Sequence, residues 1–282
     1  MRGERNRVYA VDCLRGMREV LEDGEVGVVV TSPPYNIGKR YGAYDDSRPR
    51  GEYLDWIGEV AAECRRAMRD DGSCFLNVGH RPRDPWLPWE VASRVGRHLV
   101  LQNVIVWAKS VAIPAGDSGG LGDVLLGHYG PIAGRRYLNN AFEYVFHFTK
   151  RGDVALDRLA VGVPYKDKRN ASRWAGAGGR DLRCRGNVWF VPHETVRSRA
   201  ERPHPAPFPP KLPELCIRLH GAGRAGLVLD PFAGIGDTGV AAARLGVDFV
   251  GFEVDGEYAR VAEARIRAAL AARGAGGAAP PG

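Results

Sequence analysis

Hydrophobic and polar positions in the first half of the chain follow two periods, one typical of strands and one of helices. Residues 26–31 (VGVVVT) are an unbroken β-branched run, as expected for a parallel strand that is buried on both faces. Between residues 51 and 72, apolar residues recur every three or four positions, which predicts an amphipathic helix that ends at Gly72. Further strands are predicted at 73–79, 99–109 and 141–150.

The alternation of strands and helices returns in the last third of the chain. The pattern predicts helices at 212–221, 239–246 and 257–273, and strands at 225–230 and 248–254. Strands that alternate with helices indicate an α/β fold with a mostly parallel, doubly wound sheet. Sheets of this type bind ligands outside the carboxyl ends of their strands, so functional residues are expected there.

Three segments break this alternation. Residues 110–140 are glycine-rich and form a loop long enough to be functional or mobile. Residues 151–203 lack clear periodicity and are predicted to be an insertion between two halves of one domain, 1–150 and 204–273. The low-complexity tail, 274–282, is expected to be disordered.

Positive charge is concentrated in the predicted insertion. The whole sequence carries a formal net charge of +7 at pH 7, and residues 166–202 alone contain ten Lys or Arg against four Asp or Glu. Phosphate neutralisation by this segment, with base stacking on Tyr165, Trp174 and Trp189, predicts a nucleic-acid partner; a solvated basic loop is the alternative. The candidate contacts are Lys166, Lys168, Arg169, Arg173, Arg180, Arg183, Arg185, Arg197 and Arg199.

Composition argues against several classes of protein. No apolar run approaches the roughly 18 residues of a membrane-spanning helix, and the amino terminus lacks the apolar core of a signal peptide. The five cysteines are odd in number and form no CxxC pair, which disfavours a disulfide framework and a zinc knuckle. The histidines show no ligand spacing, so no metal site is expected. We expect a cytoplasmic protein.

A glycine-rich turn lies between the strand at 225–230 and the helix that follows it. Residues 230–239 (DPFAGIGDTG) allow the backbone amides at the start of the helix to approach a ligand closely. Glu253 ends the next strand, where a carboxylate can accept hydrogen bonds from both hydroxyls of a ribose. The glycines formally meet the G-x-G-x-x-G pattern, so a dinucleotide-dependent oxidoreductase remains an alternative.

The first two residues of this turn favour a different cofactor. Asp230 places a carboxylate at the strand end, where a pyrophosphate would need neutral backbone, and Pro231 removes a hydrogen-bond donor. A carboxylate suits a cofactor with a cationic ammonium group. S-adenosyl-L-methionine (AdoMet) has that group, a ribose and an adenine, and it has no phosphate.

Two motifs carry a resemblance to a known family. DPFAGIGDTG resembles the AdoMet-binding motif of amino methyltransferases that act on nucleic-acid bases, and TSPPY at 31–35 resembles their catalytic motif. The order of the motifs matches the β-class members. The resemblance implies a class I AdoMet methyltransferase fold, with catalysis in residues 1–150, target recognition in 151–203 and cofactor binding in 204–273.

Shorter motifs extend the resemblance. VYAVDC at 8–13 resembles a motif whose acid contacts adenine, which nominates Asp12, and HPAPFPPKLPE at 204–214 resembles one that completes the cofactor pocket. The chain departs from the family pattern at Asp237, where Thr is common, and at Val11, where Gly is usual. The implied cofactor contacts are Asp12, Phe208, Lys211, Asp230, Pro231, Phe232, Gly234, Gly236, Asp237, Thr238 and Glu253.

The TSPPY motif also fits the chemistry of amine methylation. The lone pair of an exocyclic amine is conjugated with its ring, and two acceptors that hold its hydrogens would free it for attack. Ser32 Oγ and the Pro33 carbonyl can supply them, with Pro33 and Pro34 fixing the backbone. Tyr35 can stack on a base flipped out of the duplex. No Pro-Cys dipeptide is present for covalent attack at C5 of cytosine.

The leading serine of the motif bears on the target base. Family members with Ser-Pro-Pro-Tyr mostly methylate cytosine N4, so this activity is expected ahead of adenine N6. DNA is the expected polymer; ribosomal RNA cytidine is an alternative because the middle segment is short. A basic nucleic-acid-binding module without AdoMet affinity is the non-enzymatic alternative. A homodimer is compatible with the sequence, which indicates neither a recognition site nor a partner restriction enzyme.

Overall fold

A computed structural model describes residues 3–38, 44, 46–127, 135–169, 181–192 and 208–275. The strands in these ranges are Arg7–Ala10 (β1), Val26–Thr31 (β2), Met68–Val78 (β3), Val100–Ala108 (β4), Val111–Ile113 (β5), Val124–Leu126 (β6), Phe142–Thr149 (β7), Val188–Phe190 (β8), Leu227–Asp230 (β9) and Asp248–Glu253 (β10). The helices are Cys13–Val20 (α1), Arg50–Ala67 (α2), Leu87–Val95 (α3), Lys211–His220 (α4), Ala222–Ala225 (α5), Asp237–Leu245 (α6) and Gly256–Ala275 (α7).

Eight of the described strands form one sheet in the order β1-β10-β9-β2-β3-β7-β4-β8. Neighbouring strands are parallel except where β7 pairs with β3 and β4. The short strands β5 and β6 pair separately as an antiparallel hairpin. The predicted α/β fold with a mostly parallel sheet is therefore confirmed.

The central strand β2 is buried along its whole length, as its β-branched sequence predicts. Val28 and Val30 face the core formed with α4, α6 and α7. Val29 faces the opposite core, formed with α1, α2 and α3. Gly27 is required for close packing, since a Cβ there would lie 1.9 Å from the Ala225 carbonyl oxygen.

The predicted end of helix α2 is wrong. The helix ends at Ala67, where the N–H of Met68 bonds to the Cys64 carbonyl and the chain turns directly into β3. Gly72 lies inside that strand, so its glycine does not mark the helix end. A capping signal is present at the start of α1, where the Asp12 carboxylate accepts hydrogen bonds from the N–H groups of Leu14 and Arg15.

The described part of the predicted insertion packs onto the same sheet. β8 extends the sheet edge as a parallel neighbour of β4. Val161, Trp189 and Val191 are buried in the core on the α4 face. Val161 and residues 188–191, which lie within the predicted insertion, are therefore part of the main fold. At the carboxyl terminus, α7 continues to Ala275, two residues into the segment predicted to be disordered.

The topology sets the position of the functional site. The carboxyl ends of β1, β10, β9 and β2 lie side by side, with Ala10 opposite Glu253 and Gly251 opposite Asp230. The loops that follow these strands consequently meet at one edge of the sheet. Among the described helices, none is long and apolar enough to span a membrane.

Candidate active site

A cavity of about 390 Å³ opens at this edge of the sheet. Its walls are the residues that follow the four adjacent strands: 11–13 after β1, 32–35 after β2, 231–232 after β9 and 252–255 at β10. Tyr44, Arg48 and Trp56 close it from the loop before α2 and from α2 itself, and Tyr258 closes it from α7. The structure thus brings the two predicted motifs into one cavity.

Side-chain hydrogen bonds fix the Ser-Pro-Pro-Tyr segment in position. The Ser32 Oγ and Tyr35 hydroxyl atoms lie 2.8 Å apart. The hydroxyl of Tyr53, a buried residue of α2, donates a hydrogen bond of 2.8 Å to the Pro34 carbonyl. Of the two proline carbonyls, Pro34 is therefore occupied by the protein itself.

The residues after the motif form a tight, acid-bound turn. Asn36 adopts a left-handed backbone with φ of 54°, which Asn tolerates better than most residues. The backbone N–H groups of Asn36 and Ile37 donate to the Asp46 carboxylate at 2.7 and 3.1 Å. The Asn36 side chain donates to the Arg48 carbonyl at 2.7 Å. The turn therefore ties the motif to the loop that closes the cavity.

A partly buried polar network lies behind the motif, with Glu143 of β7 at its centre. The Tyr35 hydroxyl donates to Glu143 at 3.0 Å, and Asn77 Nδ2 lies 2.8 Å from both the Tyr35 oxygen and Glu143 Oε2. Lys109 Nζ forms an ion pair with the other carboxylate oxygen of Glu143 at 2.8 Å. Asn77 Nδ2 also approaches Ser32 Oγ at 3.3 Å. The network links Ser32 through Tyr35 to an acid.

The electrostatics of this network favour an ionised Glu143. Burial opposes ionisation, but the Lys109 charge and the hydrogen bonds from Asn77 and Tyr35 outweigh it and lower the pKa of Glu143. Burial and the nearby Glu143 charge raise the pKa of Tyr35 well above its usual value. At neutral pH the pair is therefore a carboxylate with a protonated phenol.

Asp230 lies behind the cavity wall. Its carboxylate accepts hydrogen bonds from Thr31 Oγ1 at 2.6 Å, Thr238 Oγ1 at 2.7 Å and the Phe232 N–H at 3.0 Å. Burial raises the pKa of Asp230 to about 6. Asp230 and Thr238 are fully buried and support the turn from behind. Their predicted contact with a cofactor stays a prediction, while Pro231 and Phe232 line the cavity directly.

Two predicted acids do reach the cavity. The Glu253 carboxylate accepts one backbone hydrogen bond on each oxygen, from Gly234 and Asp255, both at 2.9 Å. Burial raises the pKa of Glu253. Asp12 uses a single oxygen, Oδ1, for both of its capping hydrogen bonds. Both carboxylates keep acceptor capacity for a ligand.

Other predicted cofactor residues have partners elsewhere in the protein. Asp237 forms an ion pair of 2.7 Å with Arg265 of α7, so its side chain is directed to that helix. Lys211 pairs with Glu214 on its own helix, and Phe208 is buried in the core. The side chains of Asp237, Lys211 and Phe208 do not line the cavity. Gly236 has φ of 82° and lies where a Cβ would be 2.8 Å from the Cβ of Ala262, so it serves close packing.

The basic segment is only partly described. Lys168 pairs with Asp181 and Arg169 with Asp167, and Arg185 donates to the Val161 carbonyl. Lys166 and Arg183 lie together beside Tyr165 on an open surface. Arg173, Arg180, Arg197, Arg199 and Trp174 lie outside the described residues.

Trp189 corrects the stacking prediction for this segment. Its ring is 1% exposed and its Nε1 donates to the Gly186 carbonyl, so it cannot stack on a base. Trp107, near the end of β4, is equally buried, and its Nε1 donates to the Val191 carbonyl.

Several residues of the candidate site were not predicted from the sequence. Asn77 follows three apolar residues of β3, and Glu143 lies between two aromatic residues of β7; a polar residue in such a stretch could have marked both. Trp56 follows the helical spacing of core residues, which hid its place in the cavity wall. Tyr44 and Arg48 lie in a loop with no periodic signal.

Comparison with known proteins agrees with this geometry. The family model for N6/N4 methyltransferases, described as DNA methylase, matches residues 26–264. The chain is 28% identical over 270 residues to the type II methyltransferase M.BglII from Bacillus subtilis, covering 91% of this chain and 68% of that protein. It is 26% identical over 264 residues to the DNA adenine methyltransferase YhdJ from Escherichia coli K12, covering 90% and 80%.

Solved structures show the same fold. The PvuII DNA methyltransferase (cytosine-N4-specific) superposes with a TM-score of 0.65 at 20% identity, over 96% of this chain and 93% of that chain. The protein TTHA0409 from Thermus thermophilus, complexed with S-adenosyl-L-methionine, gives a TM-score of 0.58 at 25% identity, over 94% of each chain. The expected class I methyltransferase fold is confirmed.

Proposed function

The chain belongs to the DNA methylase family, and on that premise we propose that it transfers a methyl group from AdoMet to the exocyclic N4 amine of cytosine in DNA. The observation that carries this proposal is the connection of Ser32 Oγ, at the cavity, through the Tyr35 hydroxyl to the ionised Glu143. It gives the amine an acceptor that is itself coupled to a half-buried carboxylate base.

The cavity has the size and chemistry that AdoMet requires. Its volume of about 390 Å³ is within the usual range for small-molecule sites. Bound AdoMet supplies a methyl group activated by the positive charge on sulfur. Glu253 is placed to accept hydrogen bonds from the ribose hydroxyls, and Asp12 lies beside it after β1. Phe232 and Phe252 provide the apolar walls.

The hydrogen-bond balance of the motif leaves two acceptors for one amine. Because the Tyr35 hydroxyl donates to Glu143, Ser32 donates to Tyr35 and keeps a lone pair on Oγ. No donor among the described residues reaches the Pro33 carbonyl, whereas Pro34 is bonded to Tyr53. Ser32 Oγ and the Pro33 oxygen can therefore hold both amine hydrogens and direct the nitrogen lone pair to the methyl group.

The same network accounts for the proton that methylation releases. As the bond from the amine nitrogen to the methyl carbon forms, the bond from that carbon to the AdoMet sulfur would break, which would leave an uncharged thioether and one excess proton on the nitrogen. Ser32 Oγ accepts it while passing its own proton to the Tyr35 oxygen, and the Tyr35 proton moves to Glu143 Oε2. The Ser32 and Tyr35 oxygens each gain one proton and lose one, and Glu143 becomes a neutral carboxylic acid.

The choice of cytosine is supported by the serine that leads the motif and by the fold shared with a cytosine-N4-specific enzyme. Adenine N6 is the second candidate, because the relative from Escherichia coli is an adenine methyltransferase. The type II names of other relatives support a role in site-specific DNA modification. We place DNA contacts at Lys166 and Arg183, whose side chains have no acid partner among the described residues.

The test is incubation of the protein with labelled AdoMet and separate pools of DNA and RNA, followed by nucleoside mass spectrometry. The proposal predicts N4-methylcytosine in the DNA pool alone. Detection of N6-methyladenine in the DNA pool would show that the target base is adenine and not cytosine. Detection of a methylated nucleoside only in the RNA pool would overturn the choice of polymer.

A further inference from the structure

Acidic side chains outnumber basic ones among the described residues that line the cavity. Three acids, Asp12, Glu253 and Asp255, lie at the end formed by β1 and β10. Arg48 is the single cationic side chain among the described lining residues. A site with this arrangement offers acceptors and negative charge at one end and one guanidinium for an anionic group.

Among the described residues, the partners of the Arg48 guanidinium are aromatic rings and not acids. Its guanidinium carbon lies 5.1 Å from the ring centre of Tyr44 and 5.0 Å from that of Trp56. These two rings stack at 5.6 Å with an interplanar angle of 26°. The Arg48 carbonyl is fixed by Asn36, as described above. Cation–π contacts orient the guanidinium while leaving its hydrogen-bond donors available.

Arg50 differs from Arg48, because its guanidinium does pair with acids. Arg50, two residues along the chain, donates to Asp84 at 2.9 Å and to Glu90 at 2.7 Å. Within the described part of the chain, no carboxylate pairs with Arg48. An arginine that is half-buried and unpaired in a ligand cavity is suited to binding a carboxylate of the ligand, since the two groups match in a bidentate geometry.

We propose that Arg48 binds the α-carboxylate of the methionine moiety of AdoMet. The sheet order supports this orientation. Glu253 belongs to β10, whereas Arg48 packs on Trp56, which lies 5.3 Å from Phe232, the second residue after β9. In AdoMet the ribose and the carboxylate are at opposite ends of the sulfur-linked chain. A ribose at Glu253 thus directs the carboxylate away from β10, to the side on which Arg48 lies.

This inference rests on the proposed function for the identity of the occupant, and its test separates the two. Isothermal titration calorimetry would compare AdoMet with decarboxylated AdoMet, which lacks only the carboxylate, on the wild-type protein, Arg48→Met and Arg48→Lys. Arg65→Met is the matched control, because Arg65 is exposed on α2 and does not line the cavity. Thermal unfolding of each variant checks that it is folded.

The expected result is a selective loss. Arg48→Met should weaken AdoMet binding about tenfold or more and leave the affinity for decarboxylated AdoMet unchanged. Arg48→Lys should lie between, and Arg65→Met should match the wild type. The wild-type protein should prefer AdoMet to its decarboxylated analogue, and Arg48→Met should lose that preference.

Three outcomes would overturn the inference. One is unchanged AdoMet affinity in both Arg48 variants. Another is equal weakening for both ligands, which would indicate that Arg48 only shapes the wall. The third is unaltered AdoMet binding with weaker DNA binding, which would indicate a phosphate contact. Failure of the wild-type protein to bind AdoMet would contradict the proposed function itself.

Discussion

Two carboxylates at the same edge of the sheet, the half-buried Glu143 and the buried Asp230, behave in opposite ways. Glu143, behind the Ser-Pro-Pro-Tyr motif, has a cationic partner in Lys109, and its pKa is lowered. Asp230, behind the glycine-rich turn, has hydroxyl and N–H partners and no cationic partner among the described residues, and burial raises its pKa to about 6. Burial alone therefore does not decide the state of an acid; the charge of its partner does.

The difference separates two roles. A carboxylate that stays ionised beside a hydroxyl chain can take up a proton, so Glu143 is suited to catalysis. A carboxylate held by three neutral donors is suited to fixing a turn, so Asp230 is suited to positioning Pro231 and Phe232. Substitutions at the two sites should separate these roles, and removal of the Lys109 charge should exchange them.

Replacing Glu143 should have the largest effect. Glu143→Gln keeps the shape and an acceptor for Tyr35 but removes the base, so methyl transfer should fall about 100-fold or more. AdoMet affinity should be unchanged, because Glu143 does not line the cavity. Single-turnover rates and calorimetry would measure the two quantities. Glu59→Gln, an exposed change on α2, is the control; a Glu143→Gln enzyme as fast as that control would contradict the catalytic role.

Asp230 should instead control stability, with a distinct pH dependence. Because its pKa is raised on folding, the folded state binds the proton more tightly, and the stability that Asp230 contributes declines as pH rises from about 4 through about 6. Asp230→Asn cannot ionise. Relative to this variant, the wild-type protein should therefore lose about 2 kcal/mol of unfolding free energy between pH 4 and pH 8.

Urea unfolding at several pH values would check this prediction. Asp117→Asn, an exposed change in a short turn, is the matched control and should follow the wild type. An Asp230→Asn variant that stays parallel to the wild type across this range would show that Asp230 does not titrate in the folded protein as described.

Removal of the Lys109 charge should raise the pKa of Glu143, as the pKa of Asp230 is raised. In Lys109→Met the charge that holds the carboxylate ionised is lost, so the pKa of Glu143 should rise and the acid limb of the rate–pH profile should move to higher pH. At mildly acidic pH the rate should be about tenfold lower than in the wild type. Rates measured from pH 5 to pH 9 would show the shift; an unmoved acid limb would mean that Lys109 does not set the protonation of Glu143.

The sequence was most informative where chemistry follows directly from a strand. The run at 26–31 and the turn at 230–239 could be placed at one edge of the sheet, since both follow buried parallel strands. Ser32 and Glu253 were predicted in this way, and both line the cavity. The end of α2 was misplaced because Gly72 resembles a helix stop, whereas the chain enters β3 directly after Ala67.

The acid network could not be predicted, because it depends on strand register between distant segments. Tyr35 and Glu143 are 108 residues apart, and Glu143 reaches the motif only because β7 runs antiparallel beside β3. Pairing of Trp107 with Glu143 across β4 and β7 brings Lys109 to the same place. No local periodicity encodes these pairings. The Asp237–Arg265 ion pair, which turns a predicted cofactor residue to α7, has the same origin.

The most direct test of the account is the single-turnover rate of N4-methylcytosine formation in Tyr35→Phe. This change keeps the ring that would stack on a base but removes the hydroxyl that joins Ser32 to Glu143. The account predicts a rate about 100-fold below wild type, with AdoMet affinity and thermal stability close to those of the wild type. A Tyr35→Phe enzyme that forms N4-methylcytosine at the wild-type rate would contradict it.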